Sequence, residues 1–167
     1  GHAVVAIFAP EADPVHKVTI IPRGRALGVT MQLPIDEKHG YSKTYILSRL
    51  AVMMGGRSAE EIIFNEITTG ASNDIEKATD LVRNYICAYG MSKKMGTRKY
   101  GKSQNQVFLG RDYADHSKDY SEETAKEIDK EIFAIINTCF SEAKSILVKN
   151  KAKLNKISKL LIKQEVI

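Results

Sequence analysis

A mainly α-helical fold with a small pair of β-strands near the N-terminus is predicted by three features of the 167-residue chain. Apolar residues recur at helical spacing over long stretches; they alternate with polar ones between residues 15 and 34; and one stretch, 92–121, has no sustained period. With 43% hydrophobic residues the chain can bury one real core and is too short for several. A single domain over 1–167 is therefore expected.

The elements follow in order. After Gly1 and His2, the run AVVAIF is compatible with a helix but begins without a polar start signal. Val18 and Ile20 then alternate with Lys17 and Thr19, and Val29, Met31 and Leu33 alternate with Thr30 and Gln32. Turn residues over 22–28 lie between the two runs, which suggests a hairpin. Ser42 is a plausible cap for a helix through Ile46, Leu47, Leu50, Ala51 and Met54, which Gly55 and Gly56 are expected to interrupt. A second helix, carrying Ile62 and Ile63, is expected to start near Ser58. A polar turn over 68–73 leads to a helix with Ile75, Ala78, Val82, Tyr85, Ile86 and Tyr89 on one side, stopping at Gly90. Residues 92–121, rich in Gly, Lys, Ser, Asp and Tyr, are expected to form a long mobile loop. Beyond it, Ile128, Ile132, Ile135, Ile136, Cys139, Phe140, Ala143 and Leu147 trace a long amphipathic helix. Asn150 breaks it, and Leu154, Ile157, Leu160 and Leu161 give a shorter return helix. The expected organisation is a helical front part over about 1–91, a loop over about 92–120 and a C-terminal helical hairpin over about 121–165.

Charge and cysteine usage narrow the function classes. The net charge of +5 gathers toward the C-terminus at Lys144, Lys149, Lys151, Lys153, Lys156, Lys159 and Lys163. Such a run is ordinarily a solvated helix face, with an anionic surface binder as the alternative. No nucleic-acid recognition motif accompanies it, so no nucleic-acid partner is expected. Cys87 and Cys139 are far apart and lack CxxC spacing, which argues against a disulfide framework or a cysteine zinc knuckle and fits a reducing compartment. No apolar run reaches the roughly 20 residues that span a bilayer, so this stretch of chain is expected to be soluble.

Few residues can carry chemistry. The histidines are His2, His16, His39 and His116. Catalytic zinc takes three protein ligands and keeps one position open. In an HExxH motif two histidines one helical turn apart meet the metal while the intervening glutamate activates water. His2, ahead of a helix-compatible run, suits the second histidine of such a motif, although a Gly-His pair at a chain start also resembles a cloning remnant. Asp74, at the start of the helix after the 68–73 turn, is held in a fixed direction by free backbone N–H groups, as a ligand needs; it is equally an ordinary capping residue. Asn73 and Glu76 have capping-box spacing. Glu60 and Glu61 read as solvated acids or partners of Arg57, with a supporting role near a metal as the alternative. Gly55 and Gly56 suggest a close helix contact or a break, not a phosphate loop, since no GKS or GKT follows. His16, His39 and His116 have no ligand spacing. The stretch 28–34 is the candidate edge strand for an extended peptide, through Gly28, Val29, Thr30 and Met31.

Five motifs in order resemble the FtsH family of membrane-anchored, ATP-dependent AAA zinc metalloproteases. GHAVVAIF at the front resembles the end of its HEAGHAVVA signature. HKVTIIPRGRALGVTMQLP over 16–34 looks like its strand and PRG turn, and MGGRSAEEIIF over 54–64 is similar to its LGGRAAEE helix pair. TTGASNDIEKAT over 68–79 is similar nearly letter for letter, YGMS over 89–92 closes the same helix, and YSEETAKEIDKEI over 120–132 resembles the opening of the C-terminal helices. The resemblance covers nearly the whole chain. It implies an α-helical, zincin-like peptidase domain in which His2 is the second zinc histidine and Asp74 the carboxylate ligand. The first histidine and the general-base glutamate would precede Gly1, leaving this stretch inactive alone. It further implies a parent with an ATPase module that binds ATP and Mg2+, a homohexameric ring, polypeptide substrates that are unfolded or membrane proteins, and an anchor in a bacterial plasma membrane with this domain cytoplasmic, or in an organellar inner membrane. The rival expectation is a non-catalytic helical oligomerisation or adaptor domain.

Overall fold

In the computed structural model, which describes residues 1–22, 28–33, 40–101 and 119–167, the chain is mainly helical with one small antiparallel sheet. Residues His2–Phe8 (α1) form a helix too short to hold itself in water; it persists because Val4 and Val5 are buried in the common core. Strands Val15–Thr19 (β1) and Val29–Gln32 (β2) follow, then helices Lys43–Phe64 (α2) and Ser72–Cys87 (α3), the latter entered through a 3-10 turn at Thr69–Ala71. The long helix Glu122–Lys149 (α4) and the return helix Lys151–Gln164 (α5) complete the order. One core unites α1, α2, α3 and α4 around Val5, Leu50, Ala78, Val82, Ile86 and Leu147.

Helix α2 is continuous, and the expected break at Gly55 and Gly56 does not occur. Ser42 caps it, its hydroxyl accepting from Tyr45 N at 2.9 Å, and Asn65 ends it in the left-handed conformation. A glycine inside a helix costs roughly 0.5–1 kcal/mol relative to alanine. Here the cost is offset because α1 crosses at the glycine pair: a Cβ on Gly1 would fall 2.0 Å from Gly55 O, so the two backbones touch. The glycines mark a close helix contact, not a boundary.

Helix α3 buries Ala78, Val82, Tyr85 and Ile86, while Ile75 and Tyr89, expected on the same side, are exposed at its two ends. It gives way to Gly90, whose φ of +60° lets Met91 N return to Tyr85 O at 3.1 Å. The capping box of Asn73 and Glu76 does not form. Asn73 is already helical, and the preceding turn is capped instead by Thr68, which accepts from Gly70 N. The residues just after α3 also depart from the mobile-loop expectation. Ser92 is buried and donates to Glu131 Oε1 at 2.7 Å, and Tyr100 N donates to Cys87 O at 2.8 Å, so 92–101 is tied to α3 and α4. The remainder of the expected loop, 102–118, lies outside the described residues, as do His39 and His116. Asn150 separates α4 from α5, its Nδ2 donating to Ile146 O and its carbonyl accepting from Leu154 N.

The sheet obeys the expected pairing but not the expected faces. Lys17, Val18 and Thr19 pair with Met31, Thr30 and Val29, with an irregularity between Val15 and Lys17. Thr19 is buried, whereas Ile20, Val29, Met31 and Leu33 are exposed. Thr19 pairs with Val29 and Lys17 with Met31, so these four share one face, on which Thr19 alone is buried, and residues 165–167 pack along the edge of β1. Ile167 exchanges hydrogen bonds with Val18 at 2.7 and 2.9 Å, and Ile20 N donates to Glu165 O. Among the described residues, β1 is thus flanked on both sides and β2 is paired on one.

Candidate metal centre

The front of α1 and the front of α3 meet over the middle of α2. His2 opens α1, and its Nδ1 lies 2.8 Å from Val52 O on α2. A carbonyl can only accept, so Nδ1 donates and Nε2 is the ring nitrogen left for another partner. Asp74 stands in the first turn of α3, where the positive end of the helix dipole favours a carboxylate. Its Oδ2 is 3.4 Å from His2 Nε2, and each side chain is about one-third exposed, at 31% and 32%.

That spacing discriminates between two chemistries. A charge-assisted hydrogen bond between the two groups would close to about 2.7–2.9 Å. Two ligands on one tetrahedral zinc, each about 2.0–2.1 Å from it, stand about 3.4 Å apart. A neutral imidazole nitrogen and a carboxylate oxygen are both zinc donors, so the residues present fit zinc as two ligands of one site. Among the described residues no cluster of three or more His, Cys, Asp or Glu assembles, so any third protein ligand lies outside this set.

Helix α2 organises both side chains. Val52 sets the ring of His2, and Gly56 lies beneath it. Arg57 Nη1 donates to Thr68 O at 3.1 Å, and Thr68 Oγ1 donates to Glu60 Oε1 at 2.7 Å, which fastens the turn leading into α3. Glu60 therefore holds the turn that delivers Asp74, and Glu61 forms an ion pair with Lys144 of α4 at 2.7 Å. Among the described residues, neither is hydrogen-bonded or ion-paired to His2. His16 is exposed on β1, away from any cluster.

The edge-strand candidates are placed unequally. Val29, Thr30 and Met31 lie on β2, paired only with β1 among the described residues. Gly28 is pressed onto β1, where a Cβ would come 2.5 Å from Thr19 O, so it fixes the entry of the strand. Of the C-terminal lysines, Lys144 pairs with Glu61 and Lys153 lies over the ring of Phe8 at 4.3 Å, so both are spent on contacts within the chain. Three parts of the site escaped sequence reasoning. The Val52 carbonyl leaves no side-chain signal; the Thr68 latch reads as ordinary turn chemistry; and Gly56 reads as part of a close helix contact or a break, with nothing to tie it to His2.

Comparison with known proteins bears on the whole length. The description of peptidase family M41 matches residues 1–167. ATP-dependent zinc metalloprotease FtsH of Magnetococcus marinus is 51% identical over 167 residues, covering all of this chain and 25% of that protein. The proteins of the same name from Acidobacterium capsulatum and Myxococcus xanthus are 49% and 48% identical, again over the whole chain and 26% of theirs. The chain spans about a quarter of the length of these relatives.

Proposed function

Because the chain belongs to peptidase family M41, among the FtsH zinc metalloproteases, we propose that it is the peptidase module of an ATP-dependent zinc endopeptidase in which His2 and Asp74 are two of the three metal ligands. The observation that carries this reading is the 3.4 Å separation of His2 Nε2 and Asp74 Oδ2, with Nδ1 of the same ring bonded to Val52 O. Zinc, when bound, supplies Lewis acidity toward a peptide carbonyl and toward water.

The remaining work falls to the chain itself. Val52 O fixes the orientation of the imidazole through Nδ1, which leaves Nε2 turned toward Asp74. The first turn of α3 directs Asp74, and the Thr68 latch to Arg57 and Glu60 keeps that turn on α2. The open side of β2, at Val29, Thr30 and Met31, takes an extended polypeptide as an added strand, with main-chain hydrogen bonds that are indifferent to side-chain identity. Such binding suits unfolded polypeptide substrates.

A third ligand, a histidine, and a general-base glutamate complete the site in the parent protein. In the parent, an ATPase module holding ATP and Mg2+ feeds polypeptide to this module within a homohexamer anchored in a membrane, with the module on the cytoplasmic side. The words "ATP-dependent" in the relatives' names, and the quarter of their length that this chain covers, support that assignment. No helix among the described residues is long and apolar enough to cross a membrane.

The test is zinc content and casein cleavage of the full-length protein and its Asp74→Ala variant. The reading requires stoichiometric zinc in the first and loss of both zinc and cleavage in the second. A folded variant that keeps its zinc, or a metal-free full-length protein that folds and cleaves nothing, would leave the adaptor alternative standing.

A further inference from the structure

We infer that Gly56 is a positioning residue for the metal site: its missing side chain is the space that the imidazole of His2 occupies. The inference rests on the zinc reading above for its functional consequence, but its geometry stands apart. A Cβ built on Gly56 would lie 2.7 Å from His2 Nε2 and 2.9 Å from Cε1, closer than real Cβ atoms approach. The atoms it would strike belong to the imidazole, and Nε2 is the nitrogen that faces Asp74.

The neighbouring glycines behave differently. A Cβ on Gly1 would strike the backbone of Gly55, at 2.0 Å from its oxygen. A Cβ on Gly55 would sit 3.1 Å from His2 N, 3.1 Å from Val5 Cγ2 and 3.2 Å from Gly1 C. Those contacts are to main chain or to a core side chain, which yield less readily than an exposed ring. Gly1 and Gly55 are therefore demanded by the helix crossing. The imidazole above Gly56 is about one-third exposed and can swing away, breaking its bond to Val52 O as it goes.

The consequence is an opposition between folding and metal binding at one position. Alanine is the better helix former, so Gly56→Ala favours α2 while displacing the metal-facing nitrogen. Glycine at position 56 thus serves the ring and not the fold.

A thermal double-mutant cycle in chelator, run on the 167-residue chain, and zinc affinity of the full-length protein, measured by competition with a chromophoric chelator, test this together. In chelator, Gly56→Ala should leave the midpoint unchanged or raised, and should raise it further in the His2→Ala background, where nothing remains to be displaced. Gly55→Ala should lower it. In the full-length protein Gly56→Ala should weaken zinc binding by about 10–100-fold, the range found when the support of a ligand is removed. Wild-type zinc affinity in Gly56→Ala, or a midpoint loss in chelator as large as that of Gly55→Ala, would overturn the inference. If the full-length protein binds no zinc, the zinc reading fails, and the cycle alone decides whether residue 56 governs the ring: equal shifts in the two backgrounds reject it.

Discussion

The helix crossing and the sheet lie within the same front half of the molecule, yet their sequences relate to their structures in opposite ways. At the crossing of α1 on α2, small residues and apolar residues sit where their periodicity puts them: Val4, Val5, Leu50 and Ala51 are buried, and the glycines receive the neighbouring backbone. In the sheet the apolar set faces outward, with Val29 at 37% and Met31 at 42% exposure, and a threonine is buried. The difference is in the source of the partner. The crossing is covered by helices that carry their own periodic faces, whereas β1 is completed by three residues from the far end of the chain. Local pattern predicts burial only where the covering layer is itself patterned.

The contrast can be broken at several points. Leu50→Ala, in the buried base of the crossing, should cost about 2–5 kcal/mol in chemical denaturation, the range for large-to-small changes in cores. Ile167→Pro removes the donor that reaches Val18 O, and should cost about 1–2 kcal/mol while speeding amide exchange in β1 and sparing α2. A neutral result there would mean that residues 165–167 do not complete the sheet. Met31→Ser, on the outward face of β2, should stay within about 0.5 kcal/mol. A cost like that of Leu50→Ala would show that a covering layer had been missed.

The smallest effect belongs to the surface of α4. Bonds from Lys130 and Lys94 pull the Glu127 carboxyl down to about 2 from its ordinary 4.5. A depressed carboxylate pKa contributes stability that is present above about 4.5 and is lost as pH falls toward about 2. The difference in thermal midpoint between the protein and Glu127→Gln should therefore be slight near neutrality, shrink across that window, and fade with added salt. A difference that grows on acidification would reverse the assignment.

Much of this architecture was legible because helices write themselves into sequence at fixed spacing. The long run from Ile128 to Leu147, the Asn150 corner and the Ser42 cap all needed only local rules. The pairing of His2 with Asp74 was different. No periodicity connects positions seventy-two apart, and they were joined through the resemblance of TTGASNDIEKAT and GHAVVAIF to family motifs. The coordinates add what resemblance does not contain: which nitrogen of the ring is free, what holds it, and why the residue beneath it has no side chain. The features that stayed hidden are those built from backbone, such as the Val52 carbonyl and the 165–167 pairing, since main-chain groups are the same at every position.

The central claim is that His2 and Asp74 grip one zinc ion. Anomalous diffraction at the zinc edge from crystals of the full-length protein tests it directly. The account predicts a single peak within about 2.0–2.2 Å of both His2 Nε2 and an Asp74 carboxylate oxygen. A zinc peak whose ligands exclude Asp74, or a ring of His2 still bonded to Val52 with zinc bound elsewhere, would contradict it.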